Sequence, residues 1–163
     1  MIAVTPEKID ESMLLMYKKP VFLPLLLWFI MSLRAVYPAA IEFDRSSLII
    51  NGDQYSIEIA KTSSQRQQGL MFRESLSIRQ GMLFVYPRPG NHRIWMKNTL
   101  IPLSVIWIDD NETVIEVKIL PPCRLDFCPS YGVSEPAKYI IELSSEVMGI
   151  KSGDSIKGVK QFE

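Results

Sequence analysis

Residues 103–120 read LSVIWIDDNETVIEVKIL, two apolar runs separated by the polar segment 109–112. The acidic residues and Asn of this segment are typical of a turn between two strands. Within residues 113–120, one face is shared by Thr113, Ile115, Val117 and Ile119. Val114 falls off this face, and the resulting period of two predicts a half-buried antiparallel strand.

Short apolar runs of the same kind extend in both directions along the chain. The β-rich runs at 47–50 and 55–60 flank Asn51 and Gly52, which tolerate the positive φ of a tight turn, and together they predict a hairpin. Further strands are predicted at residues 82–86, 92–96, 103–108, 113–120, 138–143 and 155–160.

The segments between these runs carry helix and turn signals. Thr62 followed by Gln65 has the pattern of a capping box and predicts a short helix that reaches Gly69. Residues 87–90, PRPG, predict a turn, and residues 144–150 predict a helical turn. About eight strands with one or two short helices predict a mainly β fold, an antiparallel β-sandwich or a distorted barrel.

The composition and net charge of the chain exclude some classes of protein function. The chain has 163 residues with 18 basic and 18 acidic side chains, so its formal net charge is zero. A non-specific nucleic-acid binder needs a basic surplus, and no nucleic-acid partner is expected. Because 47% of the residues are apolar, the chain can build a core. No linker divides residues 41–163, which are predicted to form a single domain.

An apolar run near the start has the layout of an export signal. Two lysines precede residues 21–33, which contain no charged side chain. A helix of this length spans about 20 Å, against about 30 Å for the hydrocarbon core of a bilayer. Residues 1–40 are predicted to be a signal peptide, with Met16 as an alternative start, and the rest of the chain to be periplasmic or secreted. The alternative is that the signal segment is not cleaved, in which case it would be the one part of the chain that contacts the membrane.

Both cysteines, Cys123 and Cys128, fall in the predicted exported part and in a long loop at 121–136. In an oxidising compartment two neighbouring thiols usually form a disulfide, and a structural disulfide is the favoured interpretation. Their spacing matches neither the redox Cys-x-x-Cys motif nor a paired zinc motif. Metal ligation and redox chemistry remain the alternatives.

Three blocks of sequence resemble a known family. They are Gly69-Leu70-Met71 with Arg73, Gly81-Met82-Leu83-Phe84, and Trp95-Met96-Lys97-Asn98-Thr99. The match continues through residues 101–103, Pro122, Cys123, Cys128, Tyr131 and the run at 139–143. On these residues the chain resembles the uncharacterised prokaryotic family called domain of unknown function 192, over nearly all of residues 46–160.

The resemblance implies a compact β fold of jelly-roll or barrel type, often behind a signal sequence, and no established activity. The chain departs from the family at Ser104, where most members carry Asp after Pro-Leu. If that carboxylate serves catalysis or metal binding, this chain lacks it.

A candidate ligand-binding site is predicted where a strand enters a turn, because side chains there can leave the core. Arg73, near the end of the short helix, adds a donor fork suited to a carboxylate or phosphate. These residues predict a polar, cationic cleft with an aromatic wall. The candidate ligand-binding residues are Arg73, Trp95, Lys97, Asn98, Thr99 and Tyr131.

A competing interpretation assigns the same residues to structure alone. Trp95 would then fill the core, and Asn98 and Thr99 would satisfy the backbone of the turn. Arg73 would pair with a nearby acid such as Glu74 or Asp109.

Two other functions use nearby residues. A soft-metal site for Cu(I) would draw on Met71, Met82, His92 and Met96. Its competing interpretation is that methionine fills gaps in the core. A hydrolase or transferase in the same cleft is the other alternative, although no Gly-x-Ser-x-Gly nucleophile motif is present.

The sequence therefore favours an exported β domain without enzymatic activity. It is predicted to bind a small or anionic ligand, or an envelope protein, through Arg73 and residues 95–99. No cofactor is implied.

Overall fold

Eight strands and two short helices form the regular structure of residues 40–163, which this computed structural model describes. The strands are β1 (Asp44–Ile50), β2 (Asp53–Ala60), β3 (Gln80–Gly90), β4 (Ile94–Trp95), β5 (Leu103–Ile108), β6 (Val114–Leu120), β7 (Ser130–Tyr131) and β8 (Ala137–Ser144). The helices are α1 (Ser63–Gln68) and a 3₁₀-helix (Val159–Phe162). Within the described residues, neither helix is long and apolar enough to cross a membrane. The predicted signal peptide lies outside the described residues, apart from its last position.

The first three elements follow the local signals of the sequence. β1 and β2 form the predicted hairpin, and Asn51 and Gly52 in its turn have positive φ values of 51° and 85°. The Gln65 backbone N–H donates to the Thr62 hydroxyl at 3.1 Å, and the Thr62 N–H donates to the Gln65 side chain at 2.9 Å. This capping box confirms the predicted helix, which ends at Gly69 with a positive φ of 49°.

The strands form a mixed six-stranded sheet in the order β1-β2-β3-β8-β5-β6, and β4 pairs with β7 in a small second sheet. All neighbours are antiparallel except β2 and β3. This parallel pair is joined by a crossover through α1, since parallel neighbours cannot be joined by a tight hairpin. β1 and β6 are the edges of an open sheet. The mainly β prediction is confirmed, whereas the sheet is not closed into a barrel and is not purely antiparallel.

Both faces of the central strands are buried, because every residue of β5 and of β8 is buried. We call the two sides of the sheet the inner and outer faces. The inner face packs under the C-terminal segment through a cluster that includes Ile106, Ile141, Ile156, Val159 and Phe162. The outer face carries a second cluster that includes Met82, Phe84, Val105, Trp107 and Ile140.

The outer face is covered by chain with little regular structure. Leu70 from the segment after α1, Ile94 and Met96 from the segment before β5, and Cys123 from the long loop all pack in the outer cluster. These three segments carry the residues that were predicted to bind a ligand, and all of them pack on the outer face.

Strand β3 is longer than predicted. Residues 87–90, predicted as a turn, continue the strand to Gly90, so that prediction is wrong. The pairing of β3 with β8 is interrupted between Val85 and Gly90. Pro87 and Pro89 have no N–H to donate, and they occupy the stretch in which ladder hydrogen bonds are missing.

A β-bulge explains the error in β6. The strand is antiparallel and half-buried as predicted, but Val114, predicted to lie off the face of Val117, is 1% exposed and packs with Val117 in the inner cluster. Ile115, predicted to share the face of Val117, packs against the outer cluster instead, and Ile119 at the sheet edge is 60% exposed. Trp107 lies opposite Glu116 and Ile108 lies opposite Val114, so Ile115 has no partner across the strands. One unpaired residue reverses the alternation of faces around it.

The C-terminal predictions are also corrected. Residues 155–160 form no strand, because Ser155 makes a single bridge to Thr113 and a 3₁₀-helix follows. Residues 145–150 contain a turn and no helix, since β8 extends to Ser144.

We expect Gly81→Ala to destabilise the protein, because Gly81 lies where β3 packs closely on β8. An added Cβ would lie 2.5 Å from the carbonyl oxygen of Glu142 and 2.5 Å from Cδ2 of Leu143. The free energy of unfolding, measured by urea denaturation, should fall by about 1–3 kcal/mol.

The control for this variant is Gly90→Ala, whose added Cβ would come no closer than 3.3 Å to the His92 ring. Its loss should be clearly smaller, and equal losses in the two variants would contradict the proposed clash.

Candidate functional site

A cavity of about 780 Å³ lies on the outer face of the sheet. One wall is α1 with the residues that follow it, the opposite wall comes from residues 92–99, and the floor is formed by β3 and β8. We call it the α1 cavity. Aromatic and polar side chains both line it, among them Phe84, Tyr86, Trp95, Gln67, Thr99 and Glu142.

Glu142 lies at the floor of the α1 cavity. It is 4% exposed and stands between Met82 of β3 and Val105 of β5 in the sheet register. Within the described residues, its carboxyl makes no hydrogen bond or ion pair, and no fully buried side-chain oxygen or nitrogen lacks a partner. The carboxyl oxygens therefore open into the cavity.

The ionisation of Glu142 reflects this position. Burial raises the pKa of Glu142 to about 8, and the charge of the nearby Arg73 opposes part of that rise. Arg73 itself donates to the carboxylate of Glu58, which also pairs with Arg45 at 2.9 Å. The partner of Arg73 is therefore Glu58, and neither Glu74 nor Asp109 takes that place.

A stack of three side chains forms the wall next to α1. The rings of Tyr86 and His92 lie 3.6 Å apart at 8° to each other, and the Arg66 guanidinium lies 4.9 Å from the centre of the Tyr86 ring. Arg66 also donates to the carbonyl oxygens of Lys61 and Val85. Burial raises the pKa of Tyr86 to about 12, so its hydroxyl stays protonated at neutral pH.

The opposite wall is formed by β4 and the turn that follows it. Trp95 and Thr99 both line the cavity, Trp95 being 51% exposed and Thr99 buried. Asn98 has a positive φ of 57°, and its carbonyl oxygen accepts a hydrogen bond from the Phe72 N–H at 2.8 Å. This bond ties the turn to the segment after α1 and holds the two walls in position.

The cysteines form the predicted disulfide, with an S–S distance of 2.09 Å. It closes the segment 123–128, which we call the disulfide loop. The Trp95 indole N–H donates to the carbonyl of Cys128 at 3.0 Å, and Lys97 Nζ donates to the carbonyl of Leu125 at 2.7 Å. The disulfide loop therefore supports the Trp95 wall from outside the cavity.

The structure divides the predicted ligand-binding residues into two groups. Trp95 and Thr99 line the α1 cavity, whereas Arg73, Lys97, Asn98 and Tyr131 do not. Three of the second group have other contacts: Arg73 binds Glu58, Lys97 binds the disulfide loop, and Tyr131 pairs with Ile94 between β7 and β4. Ligand binding by any of these residues stays a prediction.

The four residues of the alternative copper site do not all lie in the α1 cavity. Met71 and His92 line the cavity, but Met82 and Met96 are buried in the outer cluster. Within residues 40–163, no group of three or more His, Cys, Asp or Glu side chains is placed to hold a metal ion.

Ser104 lies on the face of the sheet opposite the α1 cavity. Its neighbours Leu103 and Val105 both pack in the outer cluster, so the side chain between them points to the inner face. It is 2% exposed and lies opposite Ile119 and Leu143 in the sheet register. An Asp at this position would not share the cavity with Glu142.

Sequence reasoning did not identify Glu142, although the sequence contains a signal for it. The run 137–144 reads AKYIIELS, and Glu142 is a carboxylate among apolar residues that fill both faces of a strand. A charged residue in such a strand is expensive to bury unless it has a partner or a function. Sequence alone does not show that a cavity opens above it.

Because the pKa of Glu142 rises from an ordinary value of 4.5 to about 8 on folding, its carboxyl binds more protons in the folded state across that interval. Stability should therefore fall as pH rises from about 5 to 8, by roughly 1 kcal/mol per pH unit. Glu142→Gln should remove this slope, which is measured by urea denaturation at a series of pH values.

The matched control for this variant is Glu135→Gln, at an exposed loop position. It should keep the wild-type slope, and a Glu142→Gln profile as steep as that of the control would refute the assignment.

Removing the disulfide should loosen the Trp95 wall as well as destabilise the fold. The double variant Cys123→Ser, Cys128→Ser is expected to lose about 2 kcal/mol of unfolding free energy by the chain-entropy relation. The Trp95 indole N–H should exchange faster with solvent, as followed by NMR.

A titration of free thiols without reductant tests whether Cys123 and Cys128 form a disulfide. Denatured wild-type protein should show none, and two reactive thiols per chain would rule the disulfide out.

Comparisons with known proteins place the chain in a family. It matches domain of unknown function 192, described as "Uncharacterized ACR", over residues 47–158. One similar solved structure is a candidate transcription regulator from Sinorhizobium meliloti 1021, with 27% identity, a TM-score of 0.63, and coverage of 74% of this chain and 98% of that one.

A second similar structure is a protein of unknown function from Novosphingobium aromaticivorans DSM 12444. It shares 26% identity with a TM-score of 0.61, covering 76% of this chain and 91% of that one. A search of curated proteins gives no match. Because the family match spans more than half of the sequence, the chain belongs to the domain of unknown function 192 family.

Proposed function

We propose that residues 41–163 form an exported domain that binds a small ligand in the α1 cavity without catalysing a reaction. The observation that carries this proposal is the cavity itself, whose volume of about 780 Å³ is in the range of small-molecule sites. Its floor offers a buried carboxyl and its walls offer aromatic rings beside polar side chains, a combination suited to orienting a small ligand.

Export is supported by two features. The apolar run at 21–33 has the length and the lysine flank of a signal peptide. The disulfide between Cys123 and Cys128 is of a kind that persists in oxidising compartments and is rare in the cytosol. We therefore place the domain in the periplasm or outside the cell.

Regulation of transcription is not carried over from the Sinorhizobium meliloti protein. Residues 41–163 contain 14 basic and 15 acidic side chains, so the proposed exported domain has a net charge near −1. DNA binding depends on a surplus of basic side chains to replace the counterions of the phosphates.

A hydrolase or transferase in the same cavity is the second candidate function. It is favoured by Glu142, whose pKa is raised by burial to about 8 and thus lies close to neutral pH. Carboxyl groups tuned in this way serve as general acids or bases in enzymes. In that case Glu142→Gln would abolish turnover while the protein stays folded.

The proposed function is tested by a thermal-shift screen of purified residues 41–163 against sugars, nucleotides, amino acids, amines, carboxylates and inorganic anions. A ligand that binds the folded state raises the melting temperature by mass action, by several degrees at saturating concentration. Trp95→Ala should reduce the shift, because Trp95 lines the cavity.

Phe127→Ala is the matched control, since this aromatic side chain is 93% exposed and lies outside the cavity. It should bind as the wild type does. The proposal fails if no class of compound shifts the melting temperature, or if Trp95→Ala responds like the control.

A further inference from the structure

Three charged side chains line the α1 cavity, namely Arg66, Arg93 and Glu142. The two arginines already have acceptors within the protein. Arg66 donates to two backbone carbonyls, and Arg93 donates to both the hydroxyl and the carbonyl oxygen of Ser130. The N–H donors of both arginines are therefore satisfied in part by neutral acceptors before any ligand arrives.

Glu142 is in the opposite situation. The residue is 4% exposed, and within the described residues its carboxyl, which opens into the cavity, makes no hydrogen bond. A buried polar group without a partner costs free energy, and this cost is recovered when a donor reaches it. The unmet requirement of the cavity is thus a hydrogen-bond donor at its floor.

Arg73 does not meet this requirement. It lies near enough to influence Glu142, but its guanidinium is directed to Glu58 on β2, which β3 separates from β8. Glu58 and Glu142 flank Met82 in one row across the outer face, and Arg73 forms its ion pair with the first of them only. Glu142 remains available to the cavity.

We propose that the ligand of the α1 cavity carries a protonated amine, which binds the carboxylate of Glu142 at the cavity floor. This inference rests on the proposed ligand-binding function and specifies its chemistry. The rings of Phe84 and Trp95 line the same space, and aromatic rings attract ammonium groups through their negative faces. An ammonium group also supplies up to three donors, and its positive charge favours the ionised form of the carboxyl, which burial alone keeps largely protonated at neutral pH.

The test uses sets of three compounds that share a carbon skeleton and differ in the kind of terminal group. The sets are tryptamine, tryptophol and indole-3-propionic acid; phenethylamine, 2-phenylethanol and 3-phenylpropionic acid; and putrescine, 1,4-butanediol and succinate. Each compound is added to wild-type protein in a thermal-shift assay, and binding is quantified by calorimetry. We expect the amine of at least one set to raise the melting temperature, with little effect from its alcohol and acid.

The variant Glu142→Gln connects the effect to the floor of the cavity. It keeps the size of the side chain but removes its charge, and we expect the dissociation constant of the stabilising amine to rise by about tenfold or more. Glu135→Gln, an exposed substitution of the same type, should leave the constant unchanged. The comparison within each set needs only the wild type, so it remains decisive even if Glu142→Gln folds poorly.

Several results would overturn the inference while leaving the proposed function intact. The first is that the alcohols or acids raise the melting temperature in a way that depends on Trp95, while the amines do not. The second is that amine binding survives Glu142→Gln. The third is that magnesium or calcium chloride raises the melting temperature in a way that depends on Glu142, while the amines do not. A failure of every compound in these sets and in the broader screen would instead reject the proposed function itself.

Discussion

The burial of β8 on both faces is the constraint on which the rest of the structure depends. A strand that is buried throughout needs cover on each side, and the sheet supplies none for its own outer face. The cover comes from α1 with the loop that follows it, from the turn after β4, and from the disulfide loop. None of these segments has an extended network of backbone bonds, so each is held by individual contacts. The α1 cavity is the space that remains where the covering segments do not meet above Glu142.

The Trp-Met-Lys-Asn-Thr block shows how one short segment can hold such a cover in place. Met96 is buried in the outer cluster, and Asn98 adopts the positive φ that the turn requires. Lys97 donates a hydrogen bond to a backbone carbonyl of the disulfide loop, while Trp95 and Thr99 line the cavity. Structural and binding interpretations of this block are therefore not exclusive, because the residues that hold the cover in place differ from those that line the cavity. The disulfide matters here mainly by holding the acceptor carbonyls of its loop at fixed positions.

Local signals predicted the parts of the fold that depend on local interactions. The hairpin at Asn51 and Gly52 and the capping box at Thr62 are set by neighbouring residues, and both were predicted correctly. The errors arise where a distant strand decides the outcome. The unpaired Ile115 depends on the register between β5 and β6, and the extension of β3 through Pro87 depends on the interruption in its pairing with β8. The parallel pairing of β2 with β3 likewise has no counterpart in the composition of either strand.

The candidate site was predictable in part for the same reason. Trp95 and Thr99 were found because their turn is visible in the sequence, but the pairing of Arg73 with Glu58 and the isolation of Glu142 depend on a row of side chains across three strands. That row also argues that Glu142 is kept for a purpose other than stability. A carboxyl buried without a partner destabilises the fold, and an apolar residue at the same place would pack against Met82 and Val105 at no such cost. Glu142 lies at the base of a cavity, and the nearby Arg73 is already paired with Glu58. This arrangement is expected of a site in which a ligand supplies the hydrogen-bond donor.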